Sequence, residues 1–247
     1  MKILDDLLSI LNTEVSAKDI RQGLFQTGVL TRNCGLAATL PFDVLRQEQP
    51  FVKEPGFLLN RSTKELAQMC YSESILEAAI GMATINSLLE VDEGRCQNLN
   101  ARDLIIERGT GKRVAIVGHF PFIPRLRETV RELWVMEKNP GEGDLTEAEA
   151  GNYIPQADVV GITGSAFINH TIEQLLALCN ADAYVVVLGE TTPLSPVLLD
   201  YGIDAVAGTI VTDPDLALRC ISEGANYRQI KGIRQLTMTK KTWQQRM

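Results

Sequence analysis

The sequence predicts an α/β protein in two parts: a parallel sheet crossed by helices from about Lys112 onward, and a smaller α+β unit before it. Two observations in the second half predict the sheet. Continuous apolar runs recur at the length of strands covered on both faces, and helix-start signals fall between them. In the first half strand-like stretches come together and a long helix follows, which is the α+β order. The expected division is 1–100 and 101–247, with the polar stretch Val91 to Asp103 as linker.

The runs of the second half are Arg113 to Gly118, Leu133 to Met136, Ala157 to Thr163, Tyr184 to Leu188 and, weaker, Ala205 to Ala207. Thr171 opens a helix as a capping box with Gln174. Thr192-Pro193 or Ser195-Pro196 starts the next, and Asp213-Pro214 starts a third over Asp215 to Glu223, because proline is tolerated at the first helical position. Strand, helix, strand at this spacing means right-handed crossovers. In the first half, residues 2 to 12 read as an amphipathic helix. Leu24 to Leu30 and Gly35 to Leu40 read as strands joined through Thr31 to Cys34, and Gly56 to Leu59 as a further strand. Ser74 to Leu89 is the clearest helix, with Ile75, Ala79, Met82, Asn86 and Leu89 on one stripe.

Composition bounds the function. The chain has 247 residues, 45% of them hydrophobic and 22% charged, so it can bury a real core. A net charge of -7 argues against a nucleic-acid partner. Asp5 and Asp6 interrupt the apolar start, so Met1 to Leu8 is not read as a signal peptide, and no run reaches membrane-spanning length. A cytoplasmic protein without a membrane partner is expected, with homo-oligomerisation left open. The cysteines Cys34, Cys70, Cys96, Cys179 and Cys220 are scattered, odd in number and without a Cys-x-x-Cys pair, so reduced thiols are expected.

In an open parallel sheet, ligands bind beyond the carboxyl ends of the strands. There the sequence places Gly118-His119-Phe120-Pro121, Glu137 with the Gly141 to Asp144 loop, Thr163-Gly164-Ser165 with Asn169 to Thr171, and Gly189-Glu190-Thr191-Thr192. Both histidines, His119 and His170, fall on this edge, each with a loop hydrogen bond as its ordinary alternative. Glu137 stands where dinucleotide enzymes hold a ribose hydroxyl, or is a solvated strand-end charge. The hydroxyl-rich turns suit an anion at a helix start, or ordinary capping. Asn86 on its apolar face either ties to a neighbouring backbone or points into a site between the domains, and Asn33 and Gly35 carry the same choice. Gly-His-Phe-Pro lacks the three-glycine fingerprint and its prolines remove donors, so NAD is not expected. A metal site could draw on His119, His170, Glu137, Glu190 or a cysteine, although no pair has helical ligand spacing.

At these residues the sequence resembles a family. Gly118-His119-Phe120-Pro121, Thr163-Gly164 followed by Asn169-x-Thr171, and Gly189-x-Thr191-Thr192-Pro193-Leu194 with Pro196 are similar to the family called "Putative heavy-metal chelation", long catalogued as a domain of unknown function. Gly35-Leu36-Ala37 and Ala83-x-x-Asn86 resemble its N-terminal partner domain. The resemblance implies an enolase N-terminal-like domain followed by a Rossmann-like domain, a site where they meet, and a role with heavy metals or metal-containing cofactors. It implies proline where Glu190 stands and a small residue, usually glycine, where His170 stands.

The leading expectation is a small-ligand-binding protein or enzyme using the interdomain cleft, with a transition or heavy metal, or a metal complex, as ligand. His119 is expected to act in coordination or proton transfer. The rivals are a Rossmann-type enzyme using a nucleotide or S-adenosylmethionine, and a non-catalytic sensor or carrier. Binding and turnover stay equally open on sequence.

Overall fold

Lys2–Ser9 forms helix α1, which buries Ile3, Leu4 and Leu7 on one face, and its short amphipathic repeat ends before the predicted residue 12. The computed structural model describes residues 1–40 and 51–244. Strands β1 (Asp19–Gln22), β2 (Gln26–Leu30) and β3 (Cys34–Ala38) make an antiparallel sheet in that order. The first is absent from the sequence-based expectation because its residues are mostly polar and all half-buried. Gly56 to Leu59 is not a strand. Gly56 adopts φ +89 and a 3-10 turn covers Leu58–Asn60, with Phe57 and Leu59 exposed.

Helix α2 (Thr63–Gln68) is held by a reciprocal capping box between Ser62 and Glu65. Helix α3 (Ile75–Leu88) follows. It carries no single apolar stripe: Ala78, Gly81, Ala83 and Thr84 are buried along with Ile75, Ala79 and Met82. Small residues on every side let backbones approach it closely. A Cβ on Gly81 would lie 2.0 Å from the Cys70 nitrogen, and one on Gly35 would lie 2.1 Å from the Ala83 carbonyl oxygen.

The remaining chain builds one large sheet. Its elements are β4 (Cys96–Gln97), α4 (Ala101–Gly109), β5 (Arg113–Val117), α5 (Ile123–Arg127), β6 (Glu132–Glu137), β7 (Leu145–Thr146) and α6 (Ala150–Tyr153). They continue with β8 (Val159–Thr163), α7 (Ser165–Ile168), α8 (Ile172–Leu178), β9 (Tyr184–Leu188), β10 (Ala205–Val211), α9 (Pro214–Ser222), β11 (Ile233–Thr239) and α10 (Lys240–Gln244). The strand order is β4-β11-β10-β9-β8-β5-β6-β7. Within it, β7-β6-β5-β8-β9-β10 are parallel and reproduce the 3-2-1-4-5-6 order of doubly wound dinucleotide-binding folds, with the switch point between β5 and β8. The sheet is mostly parallel, as expected, and two further strands extend one edge: β11 pairs antiparallel with β10, and β4 antiparallel with β11. The expected linker Val91 to Asp103 therefore contains a strand of the large sheet and the start of α4.

Two helix starts differ from expectation in how they are made. Thr171 precedes α8 but accepts no capping bond; its hydroxyl donates to Asn169 Oδ1 at 2.7 Å. Ser195-Pro196 starts a 3-10 helix over Pro196–Tyr201, while Asp213 caps α9 through the Leu216 amide as predicted.

Alternate residues of the strands face opposite layers. Val114, Ile116, Val186 and Ala207 pack with Ile105 of α4, whereas Ala115, Ile162, Val187 and Val206 join a core that runs without a break into α1 and α3. No helix of the described residues is long and apolar enough to cross a membrane.

Candidate functional site

The switch point is shaped by Gly118. It ends β5 with φ +102, and a Cβ there would lie 2.9 Å from Thr163 Cβ, so only glycine lets the chain turn against β8. The next residue, His119, leaves the core with its side chain 60% exposed. Its Nδ1 lies 3.4 Å from Oδ2 of Asp144, a carboxylate only 6% exposed in the loop after β6. The same Oδ2 accepts the Gly141 amide at 3.1 Å, which fixes the carboxylate before the imidazole reaches it. Nε2 makes no hydrogen bond with the described residues.

His119 lines a cavity of about 220 Å³ together with Gly118, Phe120, Glu137 and Thr163. Asn169 and Thr171 close one side, and Leu40 of the first unit reaches its wall. Glu137 turns back on its own chain, where Oε1 accepts the Lys138 amide at 2.8 Å. Seven of the residues singled out in sequence thus meet in one place.

The others do not. Pro121 and Gly189 line a second cavity of about 400 Å³, and Phe120 stands between the two. Asn33 and Asn86 line a third, of about 350 Å³, with Thr192. Asn33 is tied to the end of α3, donating to the Leu89 carbonyl at 3.2 Å. Asn86 Nδ2 donates to the carbonyls of Leu36 (2.8 Å) and Thr191 (3.1 Å), so its amide joins the small sheet to the loop after β9. Gly35 serves the packing of β3 on α3, and Gly164 lets the loops after β8 and β9 touch, since its Cβ would meet Thr192 Oγ1 at 2.5 Å. Thr191 Oγ1 accepts the Ala38 amide at 2.9 Å. Glu190 accepts from Gln26 Nε2 at 2.8 Å. Around this loop Gln26 Oε1, Asn86 Oδ1 and Thr192 Oγ1 are buried without a hydrogen-bond partner, which marks a place for water or ligand donors.

His170 is a structural histidine. It takes φ +61, the left-handed region, and its Nε2 meets the Cys70 carbonyl oxygen at 2.7 Å, joining the two units. The backbone explains the glycine that the resemblance implied at this position.

A family model described as "Putative heavy-metal chelation" matches residues 100–240, more than half of the chain. The chain belongs to this family. A second model with the same description matches residues 4–89. An uncharacterized protein of Methanocaldococcus jannaschii is 26% identical over 181 residues, covering 70% of each sequence. Two crystal structures of unknown function from the DUF364 family share the fold. One, from Desulfitobacterium hafniense, has TM-score 0.84 at 24% identity and covers 97% of this chain and 98% of that one. The other, from Pyrococcus horikoshii, has TM-score 0.82 at 23% identity over 96% and 98%.

The residues of this member fit a bare metal ion poorly. Among the described residues no group of three or more His, Cys, Asp and Glu side chains is placed to hold one. The cysteines are single thiols, and burial pushes Cys34 and Cys70 up to about 12 and Cys179 up to about 11. His119 with Asp144 sets one imidazole 3.4 Å from one carboxylate, two groups where a bare ion needs three or more. Asp144 was visible in sequence only as the end of a Gly-Glu-Gly-Asp loop on the same sheet edge as His119. The burial of its side chain beside the imidazole has no signature in the sequence.

Proposed function

We propose that the cleft at the ends of β5, β6 and β8 binds a small ligand that brings its own metal, with His119 as the protein's single donor to it. The observation that carries this reading is the His119–Asp144 pair. A metal-bound histidine usually gives its second ring N–H to a carboxylate, which fixes the tautomer and leaves the other nitrogen as ligand. Here the Asp144 carboxylate lies 3.4 Å from Nδ1, on the side of the ring where that partner would stand, and Nε2 is left for coordination. A complex whose own ligands fill the remaining coordination positions reconciles the family's description with the lack of a three-donor cluster among the described residues. The cavity, about 220 Å³, sets a small size for the occupant.

The division of the chain falls, on this reading, near residue 100, between the stretches 4–89 and 100–240. Leu40 makes the first unit part of the cleft wall. A rival reading, an enzyme using a nucleotide or S-adenosylmethionine, has Glu137 at the end of β6 in its favour. Against it, Phe120 crowds Gly118, its ring carbon 3.4 Å from where a Cβ would be.

Native mass spectrometry with elemental analysis tests the proposal on gently purified protein. Wild type should carry a small-molecule adduct with bound metal, and His119→Ala should lose it while remaining folded. An adduct retained in His119→Ala, or a wild-type protein carrying neither metal nor small molecule, overturns the reading.

A further inference from the structure

The geometry points to a second binding site, independent of the His119 cleft, for a small planar organic anion in the 400 Å³ cavity over β9, β10 and β11. Its size is within the usual range for sites that enclose a small ligand. The chemistry of its walls is divided. Phe120 and Phe122 form one wall as a stacked pair, ring centroids 5.3 Å apart and planes 20° apart, and Leu99, Leu188 and Ala207 continue the apolar surface.

Opposite chemistry stands at the floor and the rim. Tyr227 is half-buried, and its hydroxyl meets Thr209 Oγ1 at 2.7 Å and accepts from Gln235 Nε2 at 2.9 Å, giving an ordered polar floor. Arg102, Arg125 and Arg228 reach the cavity from α4, α5 and the turn after α9. No acidic side chain is among the described lining residues, in a chain whose net charge is -7. Arg102 is engaged by Asp103 at 2.9 Å and 3.2 Å. Arg125 and Arg228 make no ion pair with any described residue; Arg125 feels only the charge of Asp103, which is already paired with Arg102, so two guanidinium groups from separate elements have room for an outside anion. A guanidinium fork suits carboxylate, sulfonate or phosphate, and a flat apolar wall suits a planar body. Each half alone is a common surface feature. Their convergence on one concavity assigns the ligand class.

Fluorescence titration with anilinonaphthalene sulfonate, a planar aryl anion, tests the assignment, with phenylnaphthylamine as its neutral counterpart. Wild type should bind the sulfonate saturably at one site. The double variant R125A/R228A should weaken it by about tenfold or more, the loss of about 1.4 kcal/mol, and leave the neutral amine unchanged. Both side chains are exposed at the rim, so the variant keeps its core. His119→Ala should leave sulfonate binding intact, which separates this site from the strand-end cleft. Equal sulfonate affinity in wild type and R125A/R228A, an equal loss for the neutral amine, or no saturable sulfonate binding overturns the proposal.

Discussion

Asn86→Ala removes the amide that joins the two sheets. Its Nδ2 donates to Leu36 O at 2.8 Å and Thr191 O at 3.1 Å, and among the described residues no other side chain links these two carbonyls. Each bond is worth a net of about 1 kcal/mol, about 2 kcal/mol for the pair. Alanine is the better helix former by about 0.6 kcal/mol, which offsets part of the loss. The expected net destabilisation is therefore about 1.5 kcal/mol, a fall in melting temperature of about 3–6 °C for a chain of this length. Asn86→Asp should cost more than alanine, because it points acceptor oxygens at two carbonyl oxygens. Thermal unfolding followed by far-ultraviolet circular dichroism reads both. A wild-type melting temperature for Asn86→Asp would refute the reasoning, since the amide could not then be donating to those carbonyls.

His170 combines a strained backbone with a useful bond, so His170→Ala loses the bond to Cys70 O and keeps the left-handed φ, whereas His170→Gly loses the bond and relieves the strain. Glycine should be the more stable of the two by about 1 kcal/mol in urea unfolding, the cost of a left-handed non-glycine residue; the opposite order contradicts the assignment. The Arg113 side chain and amide hold the Asp158 carboxyl below its usual range. A lowered folded value means that this stabilisation is present above the unfolded pKa of about 3.9 and is lost as pH falls through the folded value. Asp158→Asn should flatten the acid limb of a stability–pH curve below about pH 4 and leave its shape near neutrality unchanged. With Cys34 and Cys70 pushed up to about 12 by burial, both should resist iodoacetamide in the folded protein at neutral pH and react on unfolding, as peptide mass mapping will show.

Much of the fold was legible because buried parallel strands write themselves as continuous apolar runs. Tyr184 to Leu188 matches β9 residue for residue, and Asp213-Pro214 marks the start of α9. What failed has local causes. Strand β11 hides behind Arg234, Gln235 and Thr237 because polar residues stand on both faces of this antiparallel strand, two of them exposed near its start, so neither an apolar run nor a clean alternation marks it. The stripe on α3 was too narrow because glycine, alanine and threonine carry little hydrophobic signal yet let neighbouring backbones close in. Thr171 looked like a cap, but the nearer Asn169 claims its hydroxyl. At the site, Gly118 and His119 could be placed from the strand-end rule alone. That rule fixes an edge and says nothing about position along it, so residues expected in one pocket divide among three cavities between β6 and β11. Arg125, Tyr227 and Arg228 carry no sequence signal of a site, because the cavity they line is completed by Gln235 and Thr237 of β11, a strand without an apolar run.

The most direct test of the cleft reading is crystallography of protein retaining its native ligand, with anomalous data collected at the edge of the metal found by elemental analysis. The account predicts one anomalous peak within bonding distance of His119 Nε2, its other coordination positions filled by non-protein atoms in the cavity bounded by Gly118, Glu137 and Thr163. A peak held by cysteines or by several protein carboxylates away from His119 would contradict it.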